Sequence, residues 1–451
     1  MSTDVVLVYP YFNEEIDRSI FRYPPLGLGY LASAMRENGI SVDLIDCTFL
    51  SFDYVLHRIK HAQPRIIGIY SMVTINHHAT RLARELRNDT ELLVAGGPLP
   101  SIVPEEFLDV FDVVVRHEGE LTFLELVKDH LNGIDWKGIE GISFANSEGV
   151  CHSNPARPFE KNLDSIPFPA RDLFPNKSYK HYWMTFHGYT MANQITTRGC
   201  PYLCDFCSNP IFGRSYRERS AENVVAEMRE IEQLGYDRVF FSDDCFTQNP
   251  KRVETICNIL REERIDLEWM CLSRADRLDA RTAAKMARAG CVQIFFGIES
   301  GNERMLRVMN KRIILNDVIG AINSAKHAGI ATGGFFILGY PGETNESLLD
   351  TLRFSSALPL DYLSYSFPYP IIGTGLYTKV RERITRPEWR KQRGQASRHQ
   401  LLFSGDFSEK KLKFAQYKGL AQHVLRKKGA VGFASAHVFE DITNKLIQLF
   451  R

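Results

Sequence analysis

Three cysteines set the chemistry. Cys200, Cys204 and Cys207 stand in the run Cys200-Pro-Tyr-Leu-Cys204-Asp-Phe-Cys207, and Gly199, Pro201 and Asp205 mark it as a loop. Thiolates this close can converge on one soft metal centre. A structural zinc ion wants four ligands, usually with a second Cys or His pair at matching spacing. The other cysteines, Cys47, Cys151, Cys245, Cys257, Cys271 and Cys291, offer no such pair, so zinc would need a distant His or Cys. An iron–sulfur cube with one iron left open to an exogenous ligand suits three thiolates better.

The frame for this loop is an alternation of strand and helix patterns. Strand patterns fall at Gln194–Thr197, Arg238–Ser242, Leu267–Ser273, Val292–Gly297, Gly333–Leu338 and Tyr362–Phe367. Helical spacing separates them at Ala221–Leu234, Val253–Arg261, Ala280–Ala289, Asp317–His327 and Ser347–Ala357. Six such steps predict a partial (β/α)6 barrel over 191–370, whose chemistry would sit at the carboxyl ends of the strands. Charged residues stand at those ends: Asp243 and Asp244, Ser273-Arg274, Glu299 and the Gly339-Tyr340-Pro341-Gly342-Glu343 turn. Taken singly, each carboxylate also reads as a cap or a surface pair.

Upstream, residues 1–150 alternate in the same way. Val5–Val8, Ser41–Ile45, Ile66–Tyr70, Leu92–Ala95 and Val113–Val115 read as strands, the apolar runs as strands buried on both faces. Pro24–Asn38, Tyr54–His61, Ala79–Leu86 and Leu121–Leu131 read as helices. The expected fold class is therefore α/β: a doubly wound, Rossmann-like parallel sheet, then the barrel, then a small C-terminal segment over 371–451. Ligands of such sheets bind at strand carboxyl ends, here Tyr9–Phe12, Ser71–Asn76, Gly96–Ser101 and Arg116–Glu120. Gly96-Gly97-Pro98 reads equally as a tight turn or as a close approach to a flat ligand. Residues 151–190, punctuated by prolines, read as a largely extended linker. His77 and His78 read as water-exposed helix-start residues.

Composition excludes several classes. The 451 residues carry 55 Lys+Arg against 54 Asp+Glu, a net charge of +1, which gives no global field for nucleic acid or a membrane surface. No apolar run reaches the ~18 residues of a membrane span. The start of the chain shows no secretory pattern, and nine cysteines are too few for a disulfide scaffold of this length. A cytoplasmic, reducing setting is expected. Lys379 to Arg398 is rich in Lys and Arg; it reads as a solvated face or as a dock for an acidic partner.

The cysteine spacing, with Phe206 before the last cysteine, resembles the radical S-adenosylmethionine (SAM) enzymes. Tyr23-Pro-Pro25-Leu26-Gly27-Leu-Gly-Tyr-Leu-Ala32, Gly96-Gly97-Pro98, His117-Glu118-Gly119-Glu120-Leu-Thr122 and the junction Leu163–Leu173 resemble the branch that carries a B12-binding domain. The resemblance spans about residues 5–375. It implies a [4Fe–4S] cluster on Cys200, Cys204 and Cys207, with SAM chelating the open iron. Phe206, Asp243, Asp244, Ser273, Arg274, Glu299 and Gly339 would bind SAM: Phe206 near adenine, the aspartates at the amino group, Arg274 at the carboxylate, Glu299 at ribose or the amino group. Pro25, Leu26, Gly27, Ser71, Met72, Val73, Gly96, Gly97, Pro98, Glu118, Gly119 and Glu120 would contact cobalamin.

Two departures stand out. Leu99 replaces the His that often follows Gly-Gly-Pro, and the Asp-x-His-x-x-Gly motif that supplies a cobalt ligand elsewhere is absent. Cobalamin without a lower His is therefore expected, with Ser71, Met72 and Val73 near its lower face. The implied activity is C-methylation of an unactivated sp3 carbon through methylcobalamin and a 5′-deoxyadenosyl radical, consuming two SAM. Substrates could be small molecules, lipids or protein side chains, such as a glutamine of methyl-coenzyme M reductase. An electron donor would reduce the cluster. The alternative is a cyclase or rearrangement enzyme built from the same domains without methyl transfer. Tyr377, in a segment resembling Pro-Gly-Thr-x-x-Tyr, is the candidate catalytic residue, or else a buried structural tyrosine.

Overall fold

The computed structural model describes residues 3–12, 20–208, 212–386, 400–428 and 438–447. They divide into two compact units. One runs to Asn193 and takes in the segment ending at Arg219; the other comprises Gln194–Ser208, Ser220–Arg386 and the described residues from 400 onward. Residues 151–190 thus fall in the first unit, and the described part of 371–451 in the second.

The first unit is built on β1 (Val5–Tyr9), β2 (Val42–Asp46), β3 (Ile66–Tyr70), β4 (Leu92–Gly96), β5 (Val113–Val115), β6 (Ile142–Ala145) and β7 (Cys151–Ser153). Their order in the sheet is β2-β1-β3-β4-β5-β6-β7. β1 to β5 are parallel, with Val5 opposite both Val42 and Ile66. Val5 to Val8 are essentially inaccessible, as runs of branched apolar residues between two helical layers should be. The chain leaves β1 first to one side and then to the other, so a crevice opens at the carboxyl ends of β1 and β3. The rings of Tyr9 and Tyr70 meet there at 5.5 Å.

Two features depart from the expectation. β6 and β7 pair antiparallel beyond β5, so the sheet is not purely parallel. The proline-rich stretch is not extended throughout: it contributes β7 and the helix Asn176–His187, whose Tyr179 and Trp183 are fully buried. Prolines at 167, 169 and 175 all precede that helix, so they shape the approach to it without breaking it.

A second sheet, which belongs to the second unit from Gln194 onward, has six strands side by side in chain order: Met191–Gln194, Arg238–Phe241, Glu268–Ser273, Cys291–Glu299, Ala331–Ile337 and Tyr362–Ser366. The first and last are not paired, so the barrel is open. Period-2 alternation sorts the residues of Cys291–Glu299. Ile294, Phe296 and Ile298 are fully buried, while Gln293, Phe295 and Gly297 form the half-buried opposite face. Helices begin at side-chain caps: Ser220, Asn249, Asp279, Asn302, Thr344, Thr374 and Ser408 each accept an N–H from the first turn. The C-terminal helix Glu409–Arg426 packs on Asn345–Ala357, and its Gln416 donates to the Tyr365 carbonyl on the last strand at 3.1 Å.

The first barrel strand ends three residues earlier than its sequence pattern suggests. The Thr196 and Thr197 amides donate to Asp243 Oδ1 at 2.6 and 3.0 Å, which removes them from the ladder. No helix among the described residues is long and apolar enough to cross a membrane.

Candidate active site

The cysteine loop follows that first strand. Cys200, Cys204 and Cys207 are half-buried. The Cys207 amide donates to the Cys204 carbonyl at 3.2 Å, closing a tight turn. The loop is held from several directions: the Asp205 amide donates to the Met309 carbonyl, Asn310 Nδ2 to the Leu203 carbonyl, and the Leu376 amide to the Asp205 carbonyl. Among the described residues no three His, Cys, Asp or Glu side chains surround a single ion. A cube needs no such convergence, because each thiolate binds a different iron.

Arg274, just past the third barrel strand, is buried and crosses the Tyr202 ring with its guanidinium carbon 3.6 Å from the centroid. Its Nε and Nη2 grip Asp276 at 2.9 and 3.1 Å, and Nη2 also reaches the Lys311 carbonyl at 3.0 Å. Nη1 is buried with no partner among the described residues. A buried guanidinium N–H without an acceptor is costly, and a carboxylate is its natural complement. The group therefore fits the amino-acid end of SAM.

Glu299 ends the fourth strand in a left-handed conformation, φ +70°. Lys311 Nζ donates to its Oε1 at 3.0 Å, and both side chains are about nine-tenths buried. Burial opposes the lysine's charge, but Glu299 and Cys204 together offset this and hold the Lys311 pKa above its usual value. Gly297 makes room for the pair: a Cβ there would lie 2.7 Å from Glu299 Oε1 and 3.1 Å from Lys311 Nζ. Lys311 was not singled out from the sequence. It sits on a short turn after the helix Glu303–Val308, where no periodicity flags it.

The two aspartates part company. Asp243 is buried and spends both oxygens on Thr196 and Thr197, including the Thr196 hydroxyl. It therefore positions the strand end and is not an open acceptor for the SAM amino group. Asp244 is exposed and makes no hydrogen bond among the described residues. The Ser273 hydroxyl is likewise committed, to Thr247 and the Arg274 carbonyl. Phe206 meets the Tyr340 ring edge-on at 6.4 Å. Gly339 has φ +86° and lies under Leu412, where a Cβ would come within 2.4 Å of a methyl group. Its amide donates to Glu343 Oε2 at 2.6 Å.

Tyr377 lies on the first turn of the helix Gly375–Val380. It is half-buried, and its hydroxyl makes no hydrogen bond among the described residues, unlike a satisfied structural tyrosine. Of the basic run, Lys379 pairs with Asp205, and Arg381 and Arg383 are exposed. Residues 387–398 lie outside the described residues.

In the first unit the strand-end loops offer mostly backbone and rings. Gly97 adopts φ +106°, ψ −172°, a region open essentially to glycine alone, and a Cβ would lie 2.6 Å from the Ser71 carbonyl. Gly96 is different: a Cβ there would find only the Val115 carbonyl, at 3.8 Å. Packing explains Gly97, and the open space at Gly96 fits a flat group laid on the strand ends. Ser71 is fully buried and hydrogen-bonded to Asn76, whereas Met72 and Val73 are half-buried. Pro25 caps the helix Leu26–Glu37, in which Leu26 is buried and Gly27 open.

Glu118 forms a buried ion pair with Arg217 at 2.5 Å, and Arg217 also covers the Phe159 ring. Its carboxylate is thus engaged within the protein. Gly119 packs against Leu31, and Glu120 opens the next helix. A cavity of about 130 Å³ touches His117, Glu118, Glu120 and Phe159, below the ~300 Å³ of ordinary small-molecule sites. His78 is buried edge-on to Phe12, which corrects the expected exposure. The helix Asn76–Leu86 has His78 already inside its first turn.

A three-thiol loop at the mouth of an open barrel, in a chain that also carries a doubly wound sheet, defines a radical SAM enzyme with a second cofactor domain. The Radical SAM superfamily profile matches residues 195–355, and the B12 binding domain profile matches 17–127. The chain is 36% identical over 399 residues to an uncharacterized methyltransferase of Pyrococcus horikoshii, covering 86% of this chain and 85% of the relative. It belongs to the cobalamin-dependent radical SAM methyltransferase family, and its cofactors are a [4Fe–4S] cluster, SAM and cobalamin.

More distant relatives differ in reaction. The cytidylyl-2-hydroxyethylphosphonate methyltransferase of Streptomyces wedmorensis is 27% identical, over 84% of this chain and 81% of the relative. The anaerobic magnesium-protoporphyrin IX monomethyl ester cyclase of Rubrivivax gelatinosus is 26% identical, over 84% and 70%. The fold is that of OxsB, a cobalamin-dependent SAM radical enzyme solved with aqua-cobalamin and SAM. The TM-score is 0.78 at 18% identity, over 99% of this chain and 72% of that one.

Proposed function

We propose that this enzyme methylates an unactivated sp3 carbon, consuming two SAM per product. The observation that carries this reading is the buried, unpartnered Nη1 of Arg274 beside Tyr202 of the cysteine loop, a fixed cation for the SAM carboxylate. When bound, the cluster with SAM supplies a radical that removes hydrogen from carbon, and cobalamin supplies the methyl group, a combination a nucleophilic substrate would not need.

The chain's own residues do the rest. Cys200, Cys204 and Cys207 would hold the iron. Arg274, locked by Asp276, would orient the SAM carboxylate without reorganising. Asp244 and Glu299 remain as acceptors for the amino group or ribose hydroxyls, and Phe206 for the adenine face. Met72, Val73 and Gly96 would face cobalamin. Tyr377 offers a free hydroxyl on the substrate side. The methyltransferase relatives support methyl transfer; a protein side chain, such as a glutamine, is one substrate class for it.

The test is anaerobic incubation of the reconstituted, reduced protein with methyl-labelled SAM and cell extract, followed by mass spectrometry of the labelled product. A gain of one methylene on carbon is expected. Label on nitrogen or oxygen, or SAM cleavage with a product that gains no methyl, sinks the reading; the latter outcome would favour a cyclase.

A further inference from the structure

Between Cys204 and Cys207 the loop carries a residue with an unusual number of ties. Asp205 Oδ2 accepts from the Tyr340 hydroxyl and from Lys379 Nζ, each at 2.6 Å. Its backbone carbonyl accepts from the Leu376 amide at 2.9 Å, and its amide donates to the Met309 carbonyl at 2.9 Å. Its other oxygen, Oδ1, occupies the space beside Gly375, where a Cβ would lie only 1.7 Å away. Gly375 has no need of glycine's backbone freedom, since it is not among the positive-φ residues. Alanine is the better helix former at such a position. Contact with Asp205 therefore explains the glycine.

These contacts bind three elements into one body: the cysteine loop, the turn after the fifth barrel strand through Tyr340, and the helix Gly375–Val380 with Tyr377 on its first turn. Lys379, the first residue of the basic run, serves as an internal tether to this loop. Its ammonium also lies 5.7 Å from the Tyr340 ring centroid.

We propose that Asp205 is a positioning residue that makes the substrate-side helix part of the cluster loop, so that the geometry of the SAM site depends on how Gly375–Val380 is seated. The inference rests on the cluster reading of the three cysteines. Asp205 would act through the loop, not on SAM.

The test uses the full-length, anaerobically reconstituted and reduced protein. Electron paramagnetic resonance follows the cluster signal as SAM is titrated in, and thermal melts confirm folding. Gly375→Ala touches neither cluster nor SAM, yet should weaken SAM about tenfold and alter the SAM-bound signal, as should Asp205→Asn. Combined, the two substitutions should be little worse than either alone, because they break the same contact. Lys379→Met, at a half-exposed position, should give the same spectral change with a smaller loss of affinity.

Folded variants with the wild-type signal and SAM affinity overturn the inference, as do fully additive effects. Wild-type protein that takes up no iron overturns the cluster reading itself, and this inference with it. Loss of thermal stability with an unchanged signal assigns Asp205 a merely structural role and also overturns it.

Discussion

The strand-end loops of the two units are built from different materials. In the first unit they offer backbone, rings and small side chains: Gly96, Gly97, Met72, Val73, Tyr9 and Tyr70. Glu118 there is already neutralised by Arg217. In the second unit the loops hold charges at some desolvation cost: Arg274 against Asp276, Lys311 against Glu299, and Asp244 left open. A large flat cofactor is gripped through its faces and edges, whereas SAM is small and zwitterionic and must be gripped through charges. The same rule, ligands at strand carboxyl ends, thus yields one site shaped by what glycine leaves out and another shaped by what arginine and glutamate put in.

That contrast can be broken. The largest effect is expected from Arg274→Met, which should weaken SAM by about 10- to 100-fold by removing a charge-assisted partner. Cobalamin uptake, read from visible absorbance, should not change; a parallel loss of both cofactors would mean that the units do not bind them separately. Next comes Gly97→Val. It forces a side chain into a glycine-only region against the Ser71 carbonyl, and should cost about 1–3 kcal/mol of stability. Cobalamin retention should fall while SAM affinity in the barrel holds.

The smallest effect concerns pH. Glu343 is buried, and burial, only partly countered by the Gly339 amide, pushes its pKa up to about 8. Its folded form keeps a proton that the unfolded form gives up above about 4.5. Glu343 therefore lowers stability progressively as pH rises from about 4.5 to 8. Glu343→Gln should flatten that decline, and melting temperatures of both proteins across pH 4.5–9 check it. Parallel curves would show that the carboxyl ionises normally.

Much of this was legible in the sequence because it is local. Apolar runs and helix periodicity fix both sheets' parallel strands, and three cysteines on one loop announce their chemistry by spacing alone. What was not legible depends on long-range pairing. Asp243 and Asp244 are adjacent and alike on paper, but only Asp243 meets the Thr196 and Thr197 amides, which lie 46 to 47 residues away. Lys311 and Arg217 lack any motif of their own and acquire a role only through Glu299 and Glu118. β6 and β7 are short and turn back at a polar loop, so the alternating βα pattern passes over them.

The last barrel strand, Tyr362–Ser366, has a neighbour on only one side, and the C-terminal helix shields the other through Gln416 and the Gly419 contact with Tyr365. A bare strand margin is an invitation to self-association. Clipping the chain before residue 409 should therefore yield insoluble protein before it yields an inactive enzyme, making that helix a guardian of solubility as much as a part of the catalyst.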